Sequence, residues 1–550
     1  MGKDILVKNE SYGKSKQYYE MIEAMNISSY ENAKLLGKFY TNHDVAKALA
    51  SEVIKHFPFE NCKKIRMIDP FCGDGRLILH LLQGMYESKR SLDTFHFDVT
   101  LWDIDKKAVS VAKNTIEEFL LSKDASFRIE ARVCDSFCEY SSRIGEYDIC
   151  ITNPPWGLLK PQKLFLKVLS EDSYERLKDS LIEYDSYMKR EFSDSEPKSR
   201  FGKWGTNLGR CGIEVSLDLI GKNPNGICAI VSPASLFNDQ ISGKLRLRLF
   251  ESYDVKAVDY YSAELHLFDS ADVSSITIVL KNGTTSEFIL KQNLKKEKKE
   301  FCISPEMLNE LKEDDYTLPF EIGIDSYKIL KRTTKLPTVE EFCEQNGLYF
   351  TREIDETKID QKLTTVGEYG FAKGYMVDRY RFEKEEKYLI NGAYSHSKSN
   401  DQWKIVWRDV SRNSQKRRIK ATILPPKYVA GNSLGVICLN DETRIGALYY
   451  LLLMMNSYVF EAQARMRMVS NHVSSGIIKQ VHIPPYFYDQ KINGLVRESL
   501  QRGVDNLCLE AIAADLYGIS NQEYNILLGC FGLTNEEKED LLIAYKKVKK

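Results

Sequence analysis

Seven short runs rich in β-branched residues recur between Ile65 and Lys281, and the first three are separated by stretches with helical spacing. The strand candidates are IRMIDP (65–70), DVTLWDID (98–105), RIEARVCD (128–135), YDICITNPP (147–155), GICAIVSP (226–233), VKAVDYY (255–261) and SSITIVLK (274–281). RLILHLLQGMYES (76–88) and KAVSVAKNTIEEFLLS (107–122) supply the helical stretches. Repeated strand, helix, strand units confine a chain to a mostly parallel sheet covered on both faces, with ligands at the carboxyl ends of its strands. The expectation is therefore an α/β domain of Rossmann-like type with a mixed, mostly parallel seven-stranded sheet, over residues 37–285 after an N-terminal extension of residues 1–36. The charged run KQNLKKEKKE (291–300) reads as an exposed connection within a linking segment, 286–335. Beyond it, residues 336–550 lose regular periodicity and alternate short strand-like pieces with aromatic and basic clusters, which predicts a second, α+β domain.

A chain of 550 residues exceeds the usual single-domain size, which agrees with this division. No apolar run approaches the roughly 20 residues that span a bilayer, and the polar start MGKDILVKNESYGKSKQ lacks a secretory signal, so a cytoplasmic protein without membrane contact is expected. Twelve cysteines without metal-ligand spacing read as reduced thiols, and no metal site is expected. A net charge of −1 excludes a protein basic over its whole surface, but not one with a local basic face.

Three successive strand candidates end in acids. Met67-Ile68-Asp69-Pro70-Phe71-Cys72-Gly73-Asp74-Gly75 closes a strand and opens a glycine-bearing turn, in which Gly73 and Gly75 let backbone approach a ligand. Dinucleotide fingerprints space glycines G-x-G-x-x-G and leave the helix N-terminus free for pyrophosphate. Here Asp69 and Asp74 place negative charge beside the turn, which suits a ligand carrying an amino group and a sulfonium, as S-adenosylmethionine does. Asp103, followed by Ile104, is placed to accept ribose hydroxyls, and Asp135, followed by Ser136, to accept a hydrogen bond from the adenine amino group of the cofactor.

The fourth strand candidate ends Asn153-Pro154-Pro155-Trp156-Gly157. An aromatic amino nitrogen is a poor nucleophile because its lone pair is delocalised. Hydrogen bonds from both its hydrogens to two carbonyl oxygens, the Asn153 side chain and the Pro154 backbone, favour a tetrahedral nitrogen. The two prolines hold the turn rigid, and Trp156 offers a face for an extruded base. The chain contains no Pro-Cys dipeptide of the kind used to methylate cytosine carbon 5.

Taken in order, GKFYT (37–41), DPFCGDG, LWDID, CDSF and NPPW resemble the motifs of the gamma-class DNA adenine amino-methyltransferases of bacterial type II restriction-modification systems. The resemblance implies transfer of a methyl group from S-adenosylmethionine to the amino nitrogen of a flipped adenine in duplex DNA. It places Tyr40 and Thr41 at the cofactor with Asp69, Phe71, Gly73, Asp74, Gly75, Asp103, Ile104, Asp135, Ser136 and Asn153. It makes Asn153, Pro154, Pro155, Trp156 and Phe268 the catalytic group, with Phe268 a second aromatic against the flipped base. Asn207-Leu208-Gly209 looks like the family's segment after the catalytic loop. Trp156, where the family often has Tyr or Phe, weakens the choice of adenine over cytosine, and Asn153 in first position restores it.

The same resemblance implies a C-terminal target recognition domain, a separate cognate restriction endonuclease and a monomeric enzyme. Lys404, Arg408, Arg412, Lys416, Arg417 and Arg418, interleaved with Trp, Asn and Gln, are the first candidates for DNA contact, and Arg465, Arg467, Asn471 and His472 the second. The apolar run 447–464 reads as a core helix. Other readings are methylation of the cytosine amino group, methylation of a protein glutamine, or a non-catalytic DNA-binding specificity protein.

Overall fold

The computed structural model describes residues 15, 17–22, 25, 31, 36–89, 91–161, 165–196, 205–239, 241–268, 273–295, 297–356, 363–390, 392, 396–412, 415–468 and 471–549. These divide into two compact units, one ending at Leu318 and one beginning at Pro319.

In the first unit, β1 (Lys64–Asp69), β2 (His96–Asp103), β3 (Ser126–Val133), β4 (Ile149–Thr152), β5 (Ile227–Pro233), β6 (Tyr253–Tyr261), β7 (Ser275–Asn282), β8 (Phe288–Asn293) and β9 (Lys298–Ile303) form one sheet, in the order β9-β8-β6-β7-β5-β4-β1-β2-β3. Pairing is parallel from β3 through β2, β1 and β4 to β5, while β7 runs antiparallel between β5 and β6. β4 and β5 are almost wholly buried, and β1 is buried from Met67 to Asp69, as expected of strands covered on both faces. α1 (His43–His56), α2 (Arg76–Lys89), α3 (Lys106–Leu121) and α5 (Leu208–Ile220) cover the sheet, while α4 (Glu171–Glu191) hydrogen-bonds through Tyr184 and Tyr187 to the turn after β3. Ile78, Leu81, Leu82, Ala112, Ile116 and Leu120 pack with Ile65, Met67, Val99 and Ile149 in the main apolar cluster.

The seven expected strands and α2 and α3 lie within two or three residues of their sequence positions at most ends. The sheet has nine strands rather than seven. Residues 291–300 are not an exposed connection: β8 adds parallel to β6 and β9 folds back antiparallel on β8. Lys291, one of the charges that suggested exposure, is paired to Glu52 at the end of α1.

The second unit holds a four-stranded antiparallel sheet of residues 348–351, 434–439, 404–408 and 421–424, and a smaller sheet built on 370–372 and 428–430. Helices 445–455 and 458–465 follow, then four more from Gln490 to Val548. Among the described residues no single helix is long and apolar enough to cross a membrane; the bent pair Glu442–Met455 and Tyr458–Arg465, turned by 65°, comes nearest. Its apolar side chains are buried, so the run 447–464 is core, as its composition suggested.

Candidate active site

Strand ends β1, β2 and β4, the turn after β3 and the segment 36–41 surround a cleft of about 820 Å³, open in part to solvent. Tyr40, Thr41, Asp69, Phe71, Gly73, Asp74, Asp103, Ile104, Asp135, Ser136 and Asn153 all line it, and Gly75 alone of the expected cofactor residues does not. Gly75 has φ +80°, and a Cβ there would lie 2.9 Å from the Cβ of Ala112. Its role is to let α3 approach the turn, rather than a ligand.

The acids in this cleft are held differently. Asp69 is buried, and its Oδ1 accepts hydrogen bonds from the Thr152 hydroxyl (2.6 Å) and the Phe71 N–H (3.1 Å). Burial pushes its carboxyl up to about 7. Asp103 accepts from the N–H groups of Gly73 and Asp105, both at 2.9 Å, and so ties the glycine turn to the end of β2. Burial raises its carboxyl, while those two donors and the charge of Lys38 oppose the rise. Asp105 caps α3 and pairs with Lys38 at 2.8 Å. Asp74 is not free negative charge: Arg76 clamps it with two nitrogens, the closer at 2.6 Å, and also donates to the Thr41 carbonyl.

Asp135 departs furthest from expectation. It caps the turn Ser136–Glu139 and accepts from the Phe137 N–H at 3.0 Å, the Tyr184 hydroxyl at 2.7 Å, the Ser15 hydroxyl and the Cys138 thiol. A carboxylate so occupied is a scaffold for the cleft wall, not a spare acceptor for an adenine amino group.

At the end of β4 the Asn153 amide donates to the Phe39 carbonyl at 2.7 Å and to the Thr41 hydroxyl at 3.1 Å. These two acceptors fix which way the amide faces. Oδ1 is buried and has no hydrogen-bond partner among the described residues. The segment 37–41 thus serves Asn153 directly; Asn42, not Thr41, caps α1. The segment reaches the turn because Gly37, at φ +65°, accepts from the Trp156 N–H at 3.0 Å, and a Cβ there would sit 2.8 Å from backbone nitrogens of Trp156 and Gly157. Pro154 nests against Gly212 of α5, where a Cβ would lie 2.5 Å from the proline ring.

Trp156 and Phe268 do meet, with ring centroids 4.6 Å apart and planes inclined at 58°. Phe39 also lies against Trp156, with ring centroids 5.2 Å apart. Rings at such separations touch each other, so Trp156 and Phe268 form a closed aromatic pair here and not an open slot for a base. Lys38, Arg76 and Thr152 were missed by sequence reading, although Lys38 lies inside the GKFYT motif and Arg76 directly follows Gly75.

The basic candidates of the second unit separate into two groups. Lys404 is fully buried and paired at 2.6 Å with Glu353, itself 1% exposed. Arg417 and Arg465 are buried against Glu461, at 2.9 and 2.7 Å, and Arg417 also meets Glu510 at 2.8 Å. Arg418 is 1% exposed and donates to the Ser411 carbonyl. These four are core residues, and their expected contact with DNA is withdrawn. Arg412, Lys416 and His472 are exposed and Arg408, Arg467 and Asn471 partly so, with Lys416 paired to Glu537 and His472 to Asp409. Residues 413 and 414 of the basic segment lie outside the described residues.

An acidic cleft at the carboxyl ends of a sheet in this order defines the first unit as a Rossmann-like methyltransferase-type domain. Residues 16–174, less than a third of the chain, match the family described as N-6 DNA Methylase. Over 136 residues, 24% of the chain, it is 29% identical to the type II methyltransferase M.VspI of Vibrio sp. (strain 343), and the match covers only 28% of that relative. Among solved structures it is similar in fold to the type IIL restriction-modification enzyme MmeI in complex with DNA, with 12% identity and a TM-score of 0.50 over 95% of this chain and 80% of that one.

Asp69 gives a test of the cleft's charge. Its folded form holds a proton up to about pH 7, whereas the unfolded chain releases it near 4. The ligand-free protein therefore loses stability from this group as pH rises from about 4 to about 7. Asp69→Asn, which keeps the acceptor for Thr152 and Phe71, is expected to melt higher than the parent at pH 8 and to show a flatter pH dependence. Identical melting profiles would contradict the assignment.

Proposed function

We propose that this chain is a site-specific DNA methyltransferase that moves a methyl group from S-adenosylmethionine to the exocyclic amino nitrogen of adenine, with the second unit selecting the site. The observation that carries the reading is the Asn153 amide, whose donors are both used by the segment 37–41 while its oxygen stays buried and unpartnered. A buried acceptor without a donor is costly, and an amino group brought to the turn satisfies it.

The cleft suits the cofactor. Asp69 and Asp103 line the cleft and face a ligand with cationic groups. S-adenosylmethionine, when bound, supplies an electrophilic methyl group. Asp103 is the acceptor for the ribose hydroxyls, and a cationic group brought close to Asp69 favours its ionised form. Asn153 Oδ1 and the Pro154 carbonyl take the two N–H groups of the target amine, which draws its lone pair out of conjugation. The proline pair keeps both acceptors in place without reorganisation. Trp156 and Phe268 give the extruded base an aromatic surface, and a base that lies between them has to part the two rings.

Protection of host DNA against a cognate restriction endonuclease is part of this proposal, as are action by a monomer and residence in the cytoplasm. Transfer to the cytosine amino group is the second reading, because the same two carbonyls accept either amine. Sequencing that reads base modification directly, on DNA from cells making the protein, is expected to show N6-methyladenine within one short sequence context. Modification of cytosine would select the second reading, and unmodified DNA would refute both. For the second unit, Arg412→Ala with Lys416→Ala is expected to flatten the salt dependence of DNA binding by about 0.9 per lost phosphate contact, with little effect on melting. An unchanged slope would remove both residues from the interface.

A further inference from the structure

Three buried side-chain nitrogens and oxygens without a partner belong to residues lining one further cavity. This cavity, of about 440 Å³, is bordered by Trp156, Gly157, Asn207, Arg210, Asp239 and Ser242. Arg210 Nε, Trp156 Nε1 and Ser242 Oγ are all buried and without a hydrogen-bond partner among the described residues, in side chains of which Arg210 is 9% exposed and Ser242 fully buried. Guanidinium and indole N–H groups donate and cannot accept, so the missing ligand is rich in acceptors. Arg210 also carries a full charge inside the protein with no ion pair among the described residues, and a buried unpaired cation is expensive. It stands in the first turn of the 13-residue helix α5, whose positive end adds to that field. The one carboxylate on the wall, Asp239, is held by the N–H groups of Ile241 and Ser242 and faces Arg246 at 3.9 Å.

We propose that this cavity binds a backbone phosphate of the DNA strand that carries the target base, with Arg210 as its counter-ion and Ser242 and Trp156 as hydrogen-bond donors. This rests on the proposed function, because Trp156 and Gly157 belong to the catalytic turn as well as to the cavity. A nucleotide whose base reaches Asn153 brings its own phosphates to that neighbourhood. Site and chemistry are thereby linked through one residue: the phosphate on one side of Trp156 fixes where the extruded base can stand.

The test compares the full-length parent with Arg210→Gln, Arg210→Lys and Ser242→Ala, with S-adenosylmethionine affinity and circular dichroism checking that each is folded. Duplex binding is measured by anisotropy from about 50 to 200 mM salt. Arg210→Gln is expected to lower the slope of log affinity against log salt by about 0.9, the signature of one lost phosphate contact, while Arg210→Lys keeps the parental slope. In parallel, inorganic phosphate without DNA is expected to raise the melting temperature of the parent but not of Arg210→Gln. Should Arg210→Gln not fold, Ser242→Ala carries the comparison, with a phosphate effect weakened at least threefold. A parental slope or an undiminished phosphate effect in the variants overturns the proposal. If the phosphate effect disappears with Arg210 but no DNA is methylated by the parent, the anion site stands and the proposed function fails.

Discussion

Glu461→Gln is expected to unfold the second unit or to lower its stability by about 3 to 5 kcal/mol, the cost of breaking a buried ion pair from one side. Glu461 is fully buried at the centre of a network: Oε1 accepts from Arg465 and the Arg418 N–H, and Oε2 from Arg417. Arg417 continues to Glu510 and to the Asn456 carbonyl, and its guanidinium lies 3.9 Å from the centre of the Tyr458 ring. Arg379 joins Glu510 to Asp505. Burial alone would raise the Glu461 carboxyl, yet Arg465 and Arg417 hold it below its usual range. Its contribution is therefore present above the unfolded value near 4.3 and is lost as pH falls through the lower folded value. A glutamine keeps the shape but takes the counter-charge from Arg465 and leaves Arg417 with Glu510 alone. Urea unfolding measures the effect; a loss below about 1 kcal/mol would mean that the network is not structural. Lys416→Ala, which removes an exposed partner of Glu537, is the contrasting case and is expected to cost almost nothing.

Asn153→Ala is expected to reduce methyl transfer by about 100-fold or more, by analogy with the loss of one preorganised group at a reacting centre, while specific DNA binding survives. The substitution also removes the two bonds that fasten the segment 37–41. Thr41→Val separates these effects. It deletes only the hydroxyl acceptor and leaves the Phe39 carbonyl to orient the amide, so its loss of rate should be much the smaller. Equal losses in both variants would make Asn153 a brace rather than the acceptor of the target amine.

The sheet was legible because β4 and β5 are buried on both faces and read as apolar runs, and because β1, β2 and β3 each end at or just before an acid. The β8–β9 hairpin was not, because an edge hairpin tolerates charge: Lys298, Lys299 and Glu300 face solvent on β9, and Lys291 finds its partner 239 residues away. The same cause misplaced the DNA contacts. Lys404, Arg417, Arg418 and Arg465 look like a basic face when only near neighbours are counted, yet Glu353, Glu461 and Glu510 arrive from distant segments to neutralise most of them. At the cleft, residue types at strand ends located the wall, but not which oxygens are already occupied. Asp135 is spent on Tyr184 and Ser15, and Asp74 on Arg76. Nor could spacing show that GKFYT matters through the Phe39 carbonyl and the Thr41 hydroxyl, both of which act on Asn153.

On the proposed function, the Asn153 side-chain oxygen presents an adenine amino nitrogen to the cofactor's methyl group. The most direct measurement is mass spectrometry of nucleosides from duplex DNA incubated with the purified protein and S-adenosylmethionine carrying a deuterated methyl group. Labelled N6-methyldeoxyadenosine is expected with the parent, and its near disappearance with Asn153→Ala. Label on cytosine, label in protein but not in DNA, or an undiminished adenine signal from Asn153→Ala would contradict that function.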